Sequence, residues 1–283
     1  MNTITRSKEF VSTSTASATP ASPLVKRLRR HWKAWRETLL PLVVLTVLFV
    51  LWEAMVRLLS VPIYMLPPPT KIAVALWGAP SAVASHTWAT FVTVMGGFFL
   101  AIAVSFPLAA WITMSNFGRV AIYPLIILSQ SVPKVALAPI LVVMLGTNAA
   151  PKIIVAMLVA FFPLVVSTAT GLSAVPKELL ELGRSLRAGP MKELLRIRLP
   201  YAVPFIFAGL KMAITLSVIG AVVGEFVAAD RGLGFLMTSS LAFFNTPMGF
   251  GAIVVLSVLA MVLFQIIAIC ERVFFPWSIR MQN

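Results

Sequence analysis

Apolar and polar positions alternate along this chain in long blocks rather than within turns. Six runs of about 20 apolar residues, at 39–59, 88–114, 121–145, 153–172, 202–227 and 249–269, are separated by shorter polar segments. Each run is long enough for a helix to cross a bilayer, and within a bilayer helices satisfy their own backbone hydrogen bonds. The pattern predicts an all-α integral membrane protein with about six transmembrane helices. Several runs contain Pro107, Pro124, Pro133, Pro139, Pro163 and Pro204, or Gly96, Gly97, Gly209, Gly220 and Gly224. Two readings of these residues stand: ordinary membrane-helix composition, or irregular helices arranged around a path.

One polar block departs from simple loop composition. After Val175, Pro176 suits the first turn of a helix. Glu178 and Glu181 then favour the positive end of its dipole, and Leu179, Leu182 and Leu186 recur at helical spacing as one apolar stripe. Ala188-Gly189-Pro190 stops that helix, with Gly189 as its expected left-handed cap, and starts a second over 191–198 that Leu199-Pro200 should end. The segment 174–200 is therefore a short helical hairpin with an apolar stripe. It suits either an interfacial element resting on lipid headgroups or a docking element for another protein.

Composition sharpens the membrane reading. Charged residues make up 11% of the 283 and the mean hydropathy is +0.96, whereas soluble domains carry about 25% charged residues. The net charge of +14 is an orientation signal. Seventeen of the twenty-three Lys and Arg fall in the N-terminal segment, in the segment around Arg119, in the hairpin and at the C-terminal end. The opposite loops hold Arg57, Lys71, Lys152 and Arg231. The positive-inside rule then puts both termini and the hairpin in the cytosol of a multi-pass plasma (inner) membrane protein, and leaves nucleic acid without a role. The Ser/Thr/Ala-rich start and the basic stretch Lys26–Arg36 read as a disordered and basic cytosolic tail over 1–36. The first helix and an outer loop follow over 37–86, the main membrane domain over 87–276, and a cytosolic end over 277–283.

Catalysis finds no support. His31 and His86 lie far apart in the sequence, Cys270 is the single cysteine, and no nucleotide-binding loop is present, so no catalytic or metal site is expected. Lys134 falls inside an apolar run, where a charge costs about 2.5–3.5 kcal/mol. With Gln130 and Ser131 it offers a polar face that either lines a pathway or is structural, paired with Glu225 or with carbonyls freed by Pro133. Glu225 is otherwise expected to reach the outer surface, and Lys211 to reach the headgroups of the inner one.

The hairpin also matches a family pattern: E-A-A, three residues, G, nine residues, I-x-L-P. Glu181 stands at the Glu, Leu182 and Gly183 at the two Ala, and Ile197, Leu199 and Pro200 fall in register, while Arg187 occupies the place of the usual Gly. It resembles the EAA motif of permease subunits of type I ABC importers. Pro133–Pro139, Phe162–Val166, Gly224–Val227 and Arg231–Gly234 resemble the branch that serves nitrate, taurine, sulfonates and thiamine precursors. The resemblance implies the type I importer permease fold, with ATPase coupling through Glu181, Leu182, Gly183, Arg187, Gly189, Ile197, Leu199 and Pro200. It implies cytosolic ATPase subunits that bind ATP and Mg, a second permease copy, an extracytoplasmic solute-binding protein and surrounding lipid as partners. No cofactor belongs to this chain itself. Arg in the left-handed turn that Gly permits costs about 1–2 kcal/mol, so Gly189 is expected to take over that turn. The runner-up is a proton- or ion-coupled secondary transporter, for which Glu225 is the one well-placed carboxylate.

Overall fold

The computed structural model describes the backbone of residues 23–277, and side chains from Leu39 onward except that of Ala228. The expectations for 1–22 and 278–283 lie outside the described residues. Two compact units divide at Met55/Val56.

Helix α1 (Pro23–Leu58), whose residues up to Met55 form the described part of the first unit, runs without a break from the basic stretch into the apolar one. The stretch 23–36 is thus helical and not part of an unstructured tail. Lys, Arg, Leu and Ala are strong helix formers, and the apolar segment beyond gives the helix a continuous nucleus. Side chains from Leu39 to Leu51 are exposed, as a helix surrounded by acyl chains requires.

The second unit contains α2 (Pro69–Gly78), α3 (Pro80–Met114), α4 (Tyr123–Ser129), α5 (Ala138–Leu145), α6 (Ala149–Ser173), α7 (Lys177–Ser185), α8 (Pro190–Glu193), α9 (Leu199–Ala228), α10 (Leu233–Ala242) and α11 (Thr246–Phe274). Five described helices, α1, α3, α6, α9 and α11, are long and apolar enough to span a bilayer. The run at 121–145 is not a straight span. It bends by 78° between 118–129 and 134–145. Pro133 lacks an amide proton and restricts Val132, so the α-helix stops at Ser129 and resumes through a 3-10 turn at Lys134–Leu137. The short helices α2 and α10 do not emerge from the apolar pattern, because each is only 10 residues long.

Helix α6 is the centre of the unit, packed along α3 on one side and α9 on the other. Small residues set that closeness. A Cβ at Gly97 of α3 would lie 2.4 Å from Ala156 Cβ, and one at Gly220 of α9 would lie 2.7 Å from Ala156 Cα. The two neighbours thus clasp α6 at Ala156, where the small residues let the helix backbones approach closely. Around the clasp, Val94, Phe98, Leu164, Val165, Ile214 and Leu256 form the buried core. Polar ties cross the same interfaces: Ser105 Oγ donates to Phe161 O at 3.3 Å, and Ser167 Oγ donates to Phe205 O at 2.7 Å. Pro107, Pro163 and Pro204 lie inside continuous helices, whereas Pro124 and Pro139 stand at the second residue of α4 and of α5, where a π turn and a 3-10 turn pass into the α-helix.

Candidate functional site: the helical hairpin between α6 and α9

Lys177–Ser185 forms the first hairpin helix, α7, following Pro176, with Glu178 in its first turn. Leu179, Leu182 and Leu186 lie on one exposed stripe, with Leu182 56% and Leu186 75% exposed. The stripe borders a groove of about 520 Å³ lined also by Gly183, Ile197, Pro200 and Tyr201. Glu181 is exposed on α7. Gly183 is buried because α7 lies directly against the second limb: a Cβ there would come within 2.6 Å of Ile197 Cδ1. Leu182, Gly183, Ile197 and Pro200 are therefore brought together at this groove, while Glu181 and Leu199 are exposed nearby in the hairpin.

The chain reversal corrects the expectation for Gly189. Arg187 has φ +55°, whereas Gly189 has φ −68° and ψ 163° and simply precedes α8. The amide of Arg187 donates to Arg184 O and that of Ala188 donates to Gly183 O, both at 2.9 Å. Two such bonds closing a helix around a left-handed residue constitute a Schellman motif with Arg187 at its left-handed position. Glycine suits that position because it has no Cβ to meet the following carbonyl, and here arginine adopts the conformation instead. The second limb also differs from expectation. Leu199-Pro200 does not end a helix: α8 passes through a π turn at Leu194–Arg198 directly into α9, where Pro200 occupies a first-turn position. The second limb is a rigid extension of a spanning helix.

Charged groups at the base of the hairpin are paired. Arg198 donates from Nε to Glu193 Oε1 at 2.8 Å, its Nη2 lies 2.7 Å from the same oxygen, and its Nη1 donates to Leu172 O at 3.0 Å. Sequence reading missed this cluster. Its partners are up to 26 residues apart, and the charges look like an ordinary solvated face in the sequence.

The expected pathway residues do not form one cluster. Gln130 and Ser131 are exposed at the break of the bent pair, where Lys134 Nζ donates to Gln130 O at 2.9 Å and sits 4.5 Å over the Phe162 ring. Lys134 is thus held by a freed carbonyl and an aromatic face, not by Glu225. The Glu225 carboxylate is buried and does not reach outward. It accepts from Thr90 Oγ1 at 2.8 Å and from Gly234 N at 2.7 Å, and Thr90 Oγ1 in turn accepts from Leu233 N at 2.7 Å. A carboxylate in apolar surroundings requires such donors. Gly232, at φ +123°, leaves the space they need. Lys152, placed in an outer loop by sequence reading, is buried on α6 and packs against Gly224. Lys211 reaches Glu271 of α11 rather than headgroups. Among the described residues no group of acidic, His or Cys side chains is arranged to hold a metal.

Comparison with known proteins agrees with this architecture. Residues 95–277 match the family model of binding-protein-dependent transport system inner membrane components. The chain is 33% identical over 231 residues to the riboflavin transport system permease protein RibX of Chloroflexus aurantiacus, covering 81% of this chain and 86% of that one. It is 33% identical over 229 residues to the formylaminopyrimidine transport permease protein ThiX of Halalkalibacterium halodurans, covering 81% and 91%. Against the taurine transport system permease protein TauC of Escherichia coli the identity is 27% over 235 residues, covering 81% and 85%. The chain belongs to the family of binding-protein-dependent transport system inner membrane components. It is a multi-pass permease subunit of an ABC importer, and the secondary-transporter alternative is not supported.

Proposed function

We propose that this chain forms the translocation path for a small organic or anionic solute and is driven through its hairpin by a separate ATPase. ATP and Mg bind that partner. A second copy of this chain completes the path, and an extracytoplasmic binding protein delivers the solute. The relatives named for riboflavin, formylaminopyrimidine and taurine support a small organic solute. The stripe Leu179, Leu182 and Leu186 supports this reading, because it stays exposed on a helix that Gly183 and Ile197 seat against the base of α9. Apolar side chains presented in this way on a polar hairpin suit a complementary protein surface. The hairpin end is cytosolic on this reading, in keeping with the distribution of Lys and Arg.

Uptake into proteoliposomes carrying the permease, its ATPase and its binding protein tests the reading. Solute entry should require ATP and survive collapse of the proton gradient, and Glu181→Lys should reduce entry while the permease still inserts. Gradient-dependent, ATP-independent entry would refute the reading. In sealed cells an impermeant thiol reagent should label Thr238→Cys but not Ser185→Cys. Labelling of the latter would reverse the orientation and remove the hairpin from reach of a cytosolic ATPase.

A further inference from the structure

A continuous set of polar contacts links the hairpin to the end of the central helix. Leu172 lies in the last turn of α6, so its carbonyl is one of those the helix leaves without an internal partner. Arg198 donates to it at 3.0 Å, placing a cation at the negative end of the α6 dipole. Arg198 sits on the π turn that joins the second limb to α9, and Glu193 at the end of α8 holds its guanidinium from the other side. Both side chains of this pair are only 14% exposed. Arg184 of α7 adds a looser contact, its Nε lying 3.9 Å from the second oxygen of Glu193. The order of contacts is thus α7, Glu193, Arg198, α6.

The apolar contact between Gly183 and Ile197 seats α7 on the α9 limb, and the Arg198 contact adds a directional bond from the hairpin itself to the end of α6, beside the Ser167–Phe205 bond that ties α6 to α9 further along. Helix α6 is the one clasped by both α3 and α9. A displacement delivered to it therefore reaches the middle of the unit.

We infer that Arg198, held in place by Glu193, is a positioning residue that conveys movement of the hairpin to α6, so that work done on α7 reaches the path. The inference rests on the proposed ATPase-driven function. It requires a bidentate, planar cation, because one guanidinium must serve the carboxylate and the carbonyl together. A lysine ammonium keeps the charge but loses that fork.

The complete complex of permease, ATPase and binding protein in proteoliposomes provides the test, with solute entry and ATP hydrolysis measured on the same preparation. For Arg198→Lys and Glu193→Gln, retained ATPase and the hydrolysis rate should stay within about twofold of wild type. Solute moved per ATP should fall about tenfold, the factor that about 1.4 kcal/mol represents. The exchanged pair Glu193→Arg with Arg198→Glu restores opposite charges but sets a carboxylate against the Leu172 carbonyl, so it should remain uncoupled. Unchanged solute per ATP in all variants would overturn the inference. Restored coupling in the exchanged pair would do the same, since the link to α6 would then be dispensable. Parallel loss of bound ATPase, hydrolysis and entry would also overturn it, by assigning the pair to assembly alone. A wild-type complex with no ATP-driven entry would remove the functional reading itself, and the inference with it.

Discussion

Replacing Arg187 with glycine should stabilise the hairpin. Arg187 holds φ +55° at the left-handed position that closes α7, and its side chain is exposed. A side chain in that conformation costs about 1–2 kcal/mol, since Cβ approaches the following carbonyl. Glycine removes the clash but loses about 0.5–1 kcal/mol through the greater freedom of the unfolded chain. The net gain is about 0.5–1 kcal/mol, a two- to fivefold shift in local opening. The amide of Ala188 reports it directly, because that amide donates across the turn to Gly183 O. Hydrogen exchange of the assembled permease should show its protection rising about two- to fivefold in Arg187→Gly. In Arg187→Val, a β-branched residue at the same dihedral, protection should fall. Protection in Arg187→Gly equal to or below wild type would refute the argument, because the strain would then not reside in the backbone of residue 187.

Other sites respond in different ways. Gly232→Ala would set a Cβ 2.3 Å from Glu225 Cδ at φ +123°, so it should sharply reduce the yield of folded permease in detergent-extracted membranes; a yield equal to wild type would show that the cradle around Glu225 yields freely. Thr90→Val removes a hydroxyl that donates to Glu225 and accepts from Leu233 N, and should lower thermal stability by about 1–3 kcal/mol in a melting assay. Lys134→Ala loses one carbonyl bond and a cation–π contact, together worth about 1–2 kcal/mol. Melting temperature should drop modestly for this variant, and Lys134→Arg should recover most of the loss.

Local chemistry determined much of this protein in advance. Helices long enough for a bilayer follow from five of the six apolar runs, because hydrocarbon offers backbone groups no other partner. The hairpin is legible because Pro176, the leucine spacing and Gly189-Pro190 act within a few residues of one another. The motif register even marks residue 187 as the place for a glycine, and the left-handed turn is found there although the residue is arginine. Expecting Gly189 to absorb the turn failed, since the two bonds that close α7 set the turn at residue 187 whatever side chain occupies it. Tertiary structure alone decided the destinations of the charges. Glu225 meets Thr90 across 135 residues, Lys211 meets Glu271 across 60, and Arg198 meets the Leu172 carbonyl across 26. A single charged residue in an apolar run states only that it needs a partner. Which partner it finds depends on which helices lie side by side: glycines small enough to let α3 and α9 close on α6 at Ala156 bring Thr90 and Glu225 within reach, whereas Lys211 and Glu271 meet where α9 packs on α11.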